Sequence, residues 1–362
     1  MKFQIAVLPG DGIGPDVVAA ATQALAAVGA TCGQRFDFVE LPIGAAAIVR
    51  HGTPLPEETA RIAAASDAVL LGAVGDPRFD PQSSVRPEQG LLELRERLGV
   101  FANLRPIPMF AAAVAASPLR PERLDGCDLL FVRELSSGLY AGPRREQGES
   151  DHAFDTMRYS VAEVERVARV AFQAARRRSG RVTSVDKANV LASSRLWRRT
   201  VERVAQEYPD VRLEHAYVDS FAMGLLLDPC RHDVVLTENL FGDILSDEAA
   251  ALAGSLGVLP SASLGASRPG LFEPVHGSAP ELAGRDRANP VGAILSAALL
   301  LRHGLELHEE ATIVERAVAS VIADGVRTAD LCRNGDRVAT TSAMAAAVHG
   351  AIKDPPWALP WI

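Results

Sequence analysis

The chain has 362 residues, 48% of them hydrophobic and 23% charged, with a formal net charge of −8. This composition excludes a largely disordered protein, and the negative balance gives a nucleic-acid partner no global electrostatic support. No stretch approaches the ~20 uninterrupted apolar residues of a membrane span.

At this length two domains, or one large α/β domain with an insertion, are expected. Residues 3–8 read as a buried strand with no signal-peptide layout before it, so a cytoplasmic location is expected. Pro15 opens an Ala/Val-rich helix to about residue 28. Further strands are predicted at 36–40, 68–74, 126–133, 181–186, 211–218 and 232–237. Helices are predicted at 57–65, 88–98, 161–178, 192–207, 239–253, 290–303, 309–323 and 341–353. Such alternation indicates an α/β fold with a substantially parallel sheet. The polar stretch 143–151 reads as an exposed loop or hairpin arm, and 254–289 as a long functional loop. The hydrophobic tail with Trp357 and Trp361 is expected to dock on the body. Cys32, Cys127, Cys230 and Cys332 lie far apart in sequence, which argues against a zinc site or a disulfide framework and for a reducing compartment.

Five segments carry candidate chemistry. Gly10-Asp11-Gly12-Ile13-Gly14-Pro15 sits between a strand and a helix, yet the third glycine of a G-x-G-x-x-G fingerprint would fall on Pro15. A structural turn explains it equally well. Asp243 and Asp247 are i,i+4 on one helix face with no cation between them in sequence, a geometry that a divalent ion with oxygen ligands would relieve. Two solvated aspartates would give the same pattern. Asp219, where a strand turns into a helix, offers a third carboxylate. Arg95, Arg105 and Arg133 suit bidentate recognition of carboxylates, with ion pairs to Glu88, Glu93 or Glu134 as the plain alternative.

Tyr140 and Lys187 form a further candidate pair, a lysine at a strand end being able to serve as a proton-transfer group. Lys187 follows a buried strand, and pairing with Asp186 is its simpler explanation. The small-residue loop from His276 to Gly284, followed by Asn289-Pro290, would let backbone approach a nucleotide closely, although alone it could be any turn.

Taken together, these segments resemble the decarboxylating β-hydroxyacid dehydrogenase family over essentially the whole chain. The blocks from Asn239 to Asp247 and from His276 to Pro290 are specific to it. Leu91, Leu92 and Arg95, with Lys187-Ala188-Asn189-Val190-Leu191, resemble its isopropylmalate branch. There are departures. Ser136-Ser137-Gly138-Leu139-Tyr140-Ala141-Gly142 stands where Thr-Gly-Gly-Ile-Tyr-Phe-Gly is usual, and Glu281 where aspartate is usual.

The resemblance implies a fold that is α/β without being a true Rossmann fold. Two α/β domains would share a large mixed sheet, one domain being 1–99 plus 252–362 and the other 100–251, with an arm around 134–157. It implies NAD-dependent oxidative decarboxylation of a dicarboxylate, (2R,3S)-3-isopropylmalate, in leucine biosynthesis. A D-malate- or tartrate-type activity and a non-catalytic subunit are the alternatives.

By the same resemblance, substrate would meet Leu91, Leu92, Arg95, Arg105, Arg133, Val190 and Asp219. Mg²⁺ or Mn²⁺ would be held by Asp219, Asp243 and Asp247. NAD would lie on Glu88, His276, Gly277, Ser278, Ala279, Pro280, Glu281 and Asn289, the Glu281 carboxylate disfavouring NADP. Lys187 would take the hydroxyl proton and Tyr140 act as the acid after decarboxylation. A homodimer with shared active sites is implied, Lys187 and Asp219 reaching into the neighbour's site.

Overall fold

The computed structural model describes residues 1–79, 83–145, 151–333 and 337–355. Its strands begin with β1 (Lys2–Gly10), β2 (Arg35–Glu40), β3 (Ala68–Ala73) and β4 (Ala102–Ile107). Then come β5 (Leu129–Glu134), β6 (Arg144–Arg145), β7 (Phe154–Asp155) and β8 (Arg181–Asp186). The last are β9 (Arg212–Tyr217), β10 (Val234–Thr237), β11 (Pro260–Leu264) and β12 (Leu271–Pro274).

The chain divides into two compact units, one of Met1–Val100, Pro108–Pro118 and Ala253–Ile362, the other of Phe101–Ile107 and Leu119–Leu252. The segment Pro108–Pro118 therefore belongs with the first unit, against the sequence expectation. Packing explains the difference. The short 3-10 helix Ala111–Ala116 lies against the helix His308–Ala323, and Gly254 is so close that a Cβ there would stand 2.7 Å from the Ala116 methyl.

In the first unit the strand order is β2-β1-β3-β12-β11. β1 is parallel to both neighbours, β12 is parallel to β3, and β11 is antiparallel to β12. Every residue of β3 is buried, which is why Ala68-Val69-Leu70-Leu71-Gly72-Ala73 is an unbroken apolar run without alternation. The helix Gly14–Cys32 starts with proline in its first turn, ends on left-handed Gly33, and packs against the helices Val291–Leu299 and Thr341–Lys353. The predicted helix 290–303 keeps its α form only to Leu299 and continues as a π-helical turn, Leu300–Gly304.

The second unit has the order β4-β5-β10-β8-β9, with β4 antiparallel to β5 and the others parallel. The helix Val161–Arg176 is fixed at its start by a reciprocal Ser160/Glu163 capping box and packs against Ala192–Ala205. The helix Asn239–Ala250 lies against β5, with the Glu238 carboxylate capping its Phe241 N–H. β6 and β7 pair antiparallel, so the polar stretch begins as a hairpin arm, while 146–150 lie outside the described residues. The tail with Trp357 and Trp361 also lies outside them.

One sequence expectation is overturned. Cys127 and Cys230, 103 residues apart, form a disulfide with Cα atoms 4.4 Å apart. The cause is register. β5 and β10 are parallel neighbours with Leu130 opposite Val234, so the segments leading into them converge however far apart they are in sequence. Cys32 and Cys332 are free. Among the described residues no helix is long and apolar enough to cross a membrane.

Candidate active site

The second unit gathers a charged cluster around the helix Asn239–Ala250. Arg133, 2% exposed in β5, sends Nε and Nη2 to the Asn239 side-chain oxygen at 3.1 and 2.8 Å. Its Nη1 pairs with Asp243. Arg105, on the neighbouring β4, donates Nε to Asn103 at 2.7 Å and Nη1 to the Ser246 hydroxyl at 2.8 Å. The same guanidinium reaches Asp243 at 3.4 Å and Asp247 at 3.3 Å.

The two aspartates thus share a helix face as expected, but with a cation against them. Antiparallel pairing of β4 with β5 supplies it, a long-range placement that spacing along the helix does not contain. Burial raises the Asp247 carboxyl above its ordinary value, and the Asp243 charge adds to this while Arg105 opposes it. Tyr140 donates to Asp243 Oδ2 at 2.9 Å. Its hydroxyl is pushed above the ordinary tyrosine value, chiefly by burial and then by the Asp243 charge, so Tyr140 is held as a protonated acid.

Lys187 follows β8 and pairs with Asp219, at the start of the helix Val218–Leu227, at 2.5 Å. That hydrogen bond holds the Asp219 carboxyl below its usual range. Lys187 is not the partner of Asp186, whose carboxylate is taken by Arg198 at 2.8 and 2.9 Å. Val190 closes the turn after Lys187 and is 62% exposed.

In donor chemistry the all-carboxylate set Asp219, Asp243 and Asp247 fits a hard cation such as Mg²⁺ or Mn²⁺. Among the described residues, however, no three His, Cys, Asp or Glu side chains of one chain come together as a metal site.

In the first unit Arg95 pairs with Glu273 of β12 at 2.8 Å, not with Glu88 or Glu93. Its Nε is buried and has no partner among the described residues. Leu91 and Leu92 precede Arg95 by four and three positions on the same helix, Pro87–Arg97, and Leu92 is exposed.

The His276 loop forms one wall of a cavity of about 320 Å³ lined by Ile13, Ser255, Gly257, Asn289 and Asp330 among others. His276 Nε2 is buried with no partner among the described residues, and burial depresses its imidazole below the ordinary value. Gly277, Ala279 and Asn289 line the same cavity, and the Asn289 amide is fixed by Asp330 at 2.9 Å. Ser278, Pro280 and Glu281 belong to the loop without lining it. Gly12, at φ +58°, carries no Cβ that would collide with Ser278, and Ile13 N–H donates to the Ser278 carbonyl at 2.8 Å. The glycine-rich turn therefore supports the loop. Glu88 lies near it, since a Cβ on Gly75 would stand 3.2 Å from Glu88 Oε1 and 3.4 Å from Ser278 Oγ. A cavity walled by backbone and small residues, with an unpartnered imidazole nitrogen, fits a heteroaromatic nucleotide base.

Sequence reasoning missed Asn103, Ser246, Ser255, Gly257 and Asp330. Only the alternation of Asn103 with Arg105 along β4 could have pointed to the first.

A family model described as isocitrate/isopropylmalate dehydrogenase matches residues 4–348. The 3-isopropylmalate dehydrogenase of Geobacillus kaustophilus is 53% identical over 98% of this chain and 96% of its own. That of Bacillus subtilis is 54% identical over 97% and 98%. Among solved structures, isocitrate dehydrogenase from Methylococcus capsulatus superposes with a TM-score of 0.87 at 35% identity, covering 97% of this chain and 99% of that one. A β-decarboxylating dehydrogenase from Thermococcus kodakarensis gives 0.78 at 39%, covering 97% and 96%.

Proposed function

The chain belongs to the isocitrate/isopropylmalate dehydrogenase family, and from that premise we propose that it oxidises and decarboxylates (2R,3S)-3-isopropylmalate to 4-methyl-2-oxopentanoate and CO2 in leucine biosynthesis, with NAD⁺ as acceptor. One local observation carries the substrate choice. Arg95 has a buried Nε without a partner among the described residues, open to a carboxylate, and Leu91 and Leu92 offer apolar surface one turn earlier for a branched alkyl group.

In this reading Arg95, Arg105 and Arg133 hold the two substrate carboxylates, and Val190 adds apolar contact. Lys187 takes the proton of the 2-hydroxyl, and Tyr140, kept protonated beside Asp243, delivers a proton to the carbon that has lost CO2. Asp219, Asp243 and Asp247 would hold Mg²⁺ or Mn²⁺, while Glu88, His276, Gly277, Ser278, Ala279, Pro280, Glu281 and Asn289 would hold NAD. When bound, these groups supply charge stabilisation at the substrate oxygens and a hydride acceptor. The Glu281 carboxylate would accept from a ribose hydroxyl and repel a 2′-phosphate.

We also place the active form as a homodimer with shared sites. The pairing of Asp219 with Lys187, with no bond from either to Asp243 or Asp247 among the described residues, supports this. So do Met223 and Leu227 on the helix carrying Asp219, 63% and 55% exposed, and Ile244 between Asp243 and Asp247, 59% exposed. A cytoplasmic location goes with a biosynthetic role, and the Cys127–Cys230 disulfide is the observation against a fully reducing one.

The test is NADH formation from 3-isopropylmalate by purified protein with Mn²⁺. Chelation should abolish it and Mg²⁺ or Mn²⁺ restore it, and NAD⁺ should surpass NADP⁺ by about tenfold or more. No NADH with either metal would defeat the proposal.

A further inference from the structure

Both arginines of the charged cluster rest on a neutral amide. Arg133 gives one whole edge of its guanidinium, Nε and Nη2, to the single side-chain oxygen of Asn239. Arg105 gives Nε to the side-chain oxygen of Asn103. Asn239 is itself immobilised. It is 1% exposed, its amide nitrogen donates to the Ser137 carbonyl at 2.9 Å, and its backbone N–H donates to the Tyr159 hydroxyl at 3.0 Å. Tyr159 in turn donates to Glu238 at 3.1 Å. The Ser137 bond also decides which way the amide faces, because only its NH2 can serve that carbonyl.

One turn along the same helix, Gly242 makes the approach possible. A Cβ there would stand 2.7 Å from Arg133 Cγ and 2.9 Å from its Cβ. Asn239, Gly242 and Asp243 thus form one face of the helix, shaped to the Arg133 side chain.

The structure assigns Asn239 as the positioning residue that fixes the Nε/Nη2 edge of the Arg133 guanidinium without adding a second anion to its pair with Asp243. Arg133 already pairs with Asp243 through Nη1, and a carboxylate in place of Asn239 would accept the other two N–H groups as a second buried anion, so a substrate carboxylate would have to compete with both. An amide supplies the geometry alone. Proximity demands such fixing, because a misplacement of about 1 Å in a binding group can cost about a hundredfold in rate. The inference rests on the assignment of Arg133 to a substrate carboxylate.

Two variants and one spectroscopic measurement separate holding from mere structure. Asn239→Asp retains the acceptor, adds charge and gives up the donation to the Ser137 carbonyl, and should raise KM for the diacid by about tenfold or more while leaving KM for NAD⁺ within about twofold. Asn239→Ala removes the acceptor and should lower kcat as well as raise KM. In ¹⁵N-edited spectra the Arg133 Nε–H, assigned through Arg133→Lys, should exchange slowly in the wild type and fast in Asn239→Ala. Kinetic constants of both variants within twofold of wild type, per folded molecule, would overturn the assignment, as would a fast-exchanging Nε–H in the wild type. Should the wild type turn over no diacid at all, the substrate assignment alone would fall, and the exchange measurement would still decide whether Asn239 holds Arg133.

Discussion

Tyr140 donates its hydroxyl hydrogen to Asp243 Oδ2, and Arg133 pairs with the other oxygen of the same carboxylate. One aspartate therefore ties the candidate acid to a candidate substrate cation. Tyr140→Phe keeps the ring over which Arg133 lies, 5.6 Å from its centroid, and removes the hydroxyl, and with it both the proton source and the bond to Asp243. If Tyr140 protonates the decarboxylated carbon, kcat should fall about 10²- to 10⁴-fold with KM little changed. Steady-state kinetics on the variant decide it, and an unchanged kcat would take the acid role from Tyr140.

Lys187 and Asp219 pair with each other, and neither has a described contact with Tyr140, Arg133 or Asp243 of its own chain. If they serve the neighbouring copy, Lys187→Ala and Arg133→Ala homodimers should each be nearly inactive. Refolded together with random pairing, they should regain about a quarter of wild-type activity, since half the dimers are mixed and each has one intact site. No recovery, with subunit exchange confirmed by native mass, would contradict shared sites.

The disulfide has a direct chemical signature. Thiol titration of the unfolded, unreduced protein should find two of the four cysteines, Cys32 and Cys332. Cys127→Ser should lower unfolding stability by about 2–4 kcal/mol, the usual effect of opening a long covalent loop. Four thiols before reduction would show that the bond does not form.

Burial holds the imidazoles of His215, His232 and His276 below their ordinary value. The unfolded chain then binds protons that the folded chain refuses. Stability from these groups is complete above the ordinary histidine pKa, ~6.5, and is lost as pH falls through it. Glu134 and Glu238, raised by burial, act in the opposite sense nearer the carboxylate range. The urea midpoint should fall from pH 7.5 to 5.5, and His232→Gln should flatten the slope. A midpoint that rises on acidification would reverse the sign.

Much of this was legible in the sequence, and the limits have physical causes. Helix 341–353 and strand 181–186 follow from periodicity and apolar runs, because packing only reinforces the local pattern there. β4 was missed because Pro106 interrupts a short mixed segment, and β11 and β12 because Gly, Ser and Pro crowd around them. Residue types at the site could be read, but their pairing could not. Arg95 with Glu273, Lys187 with Asp219 and Cys127 with Cys230 are set by strand register and long-range packing.

The most direct measurement compares kcat/KM of the wild-type enzyme, with NAD⁺ and Mn²⁺, for 3-isopropylmalate, D-malate, tartrate and isocitrate. With Leu91 and Leu92 against the alkyl group, 3-isopropylmalate should lead D-malate by at least about tenfold, as a few buried methyl groups provide. Equal or better turnover of D-malate, tartrate or isocitrate would contradict the assignment.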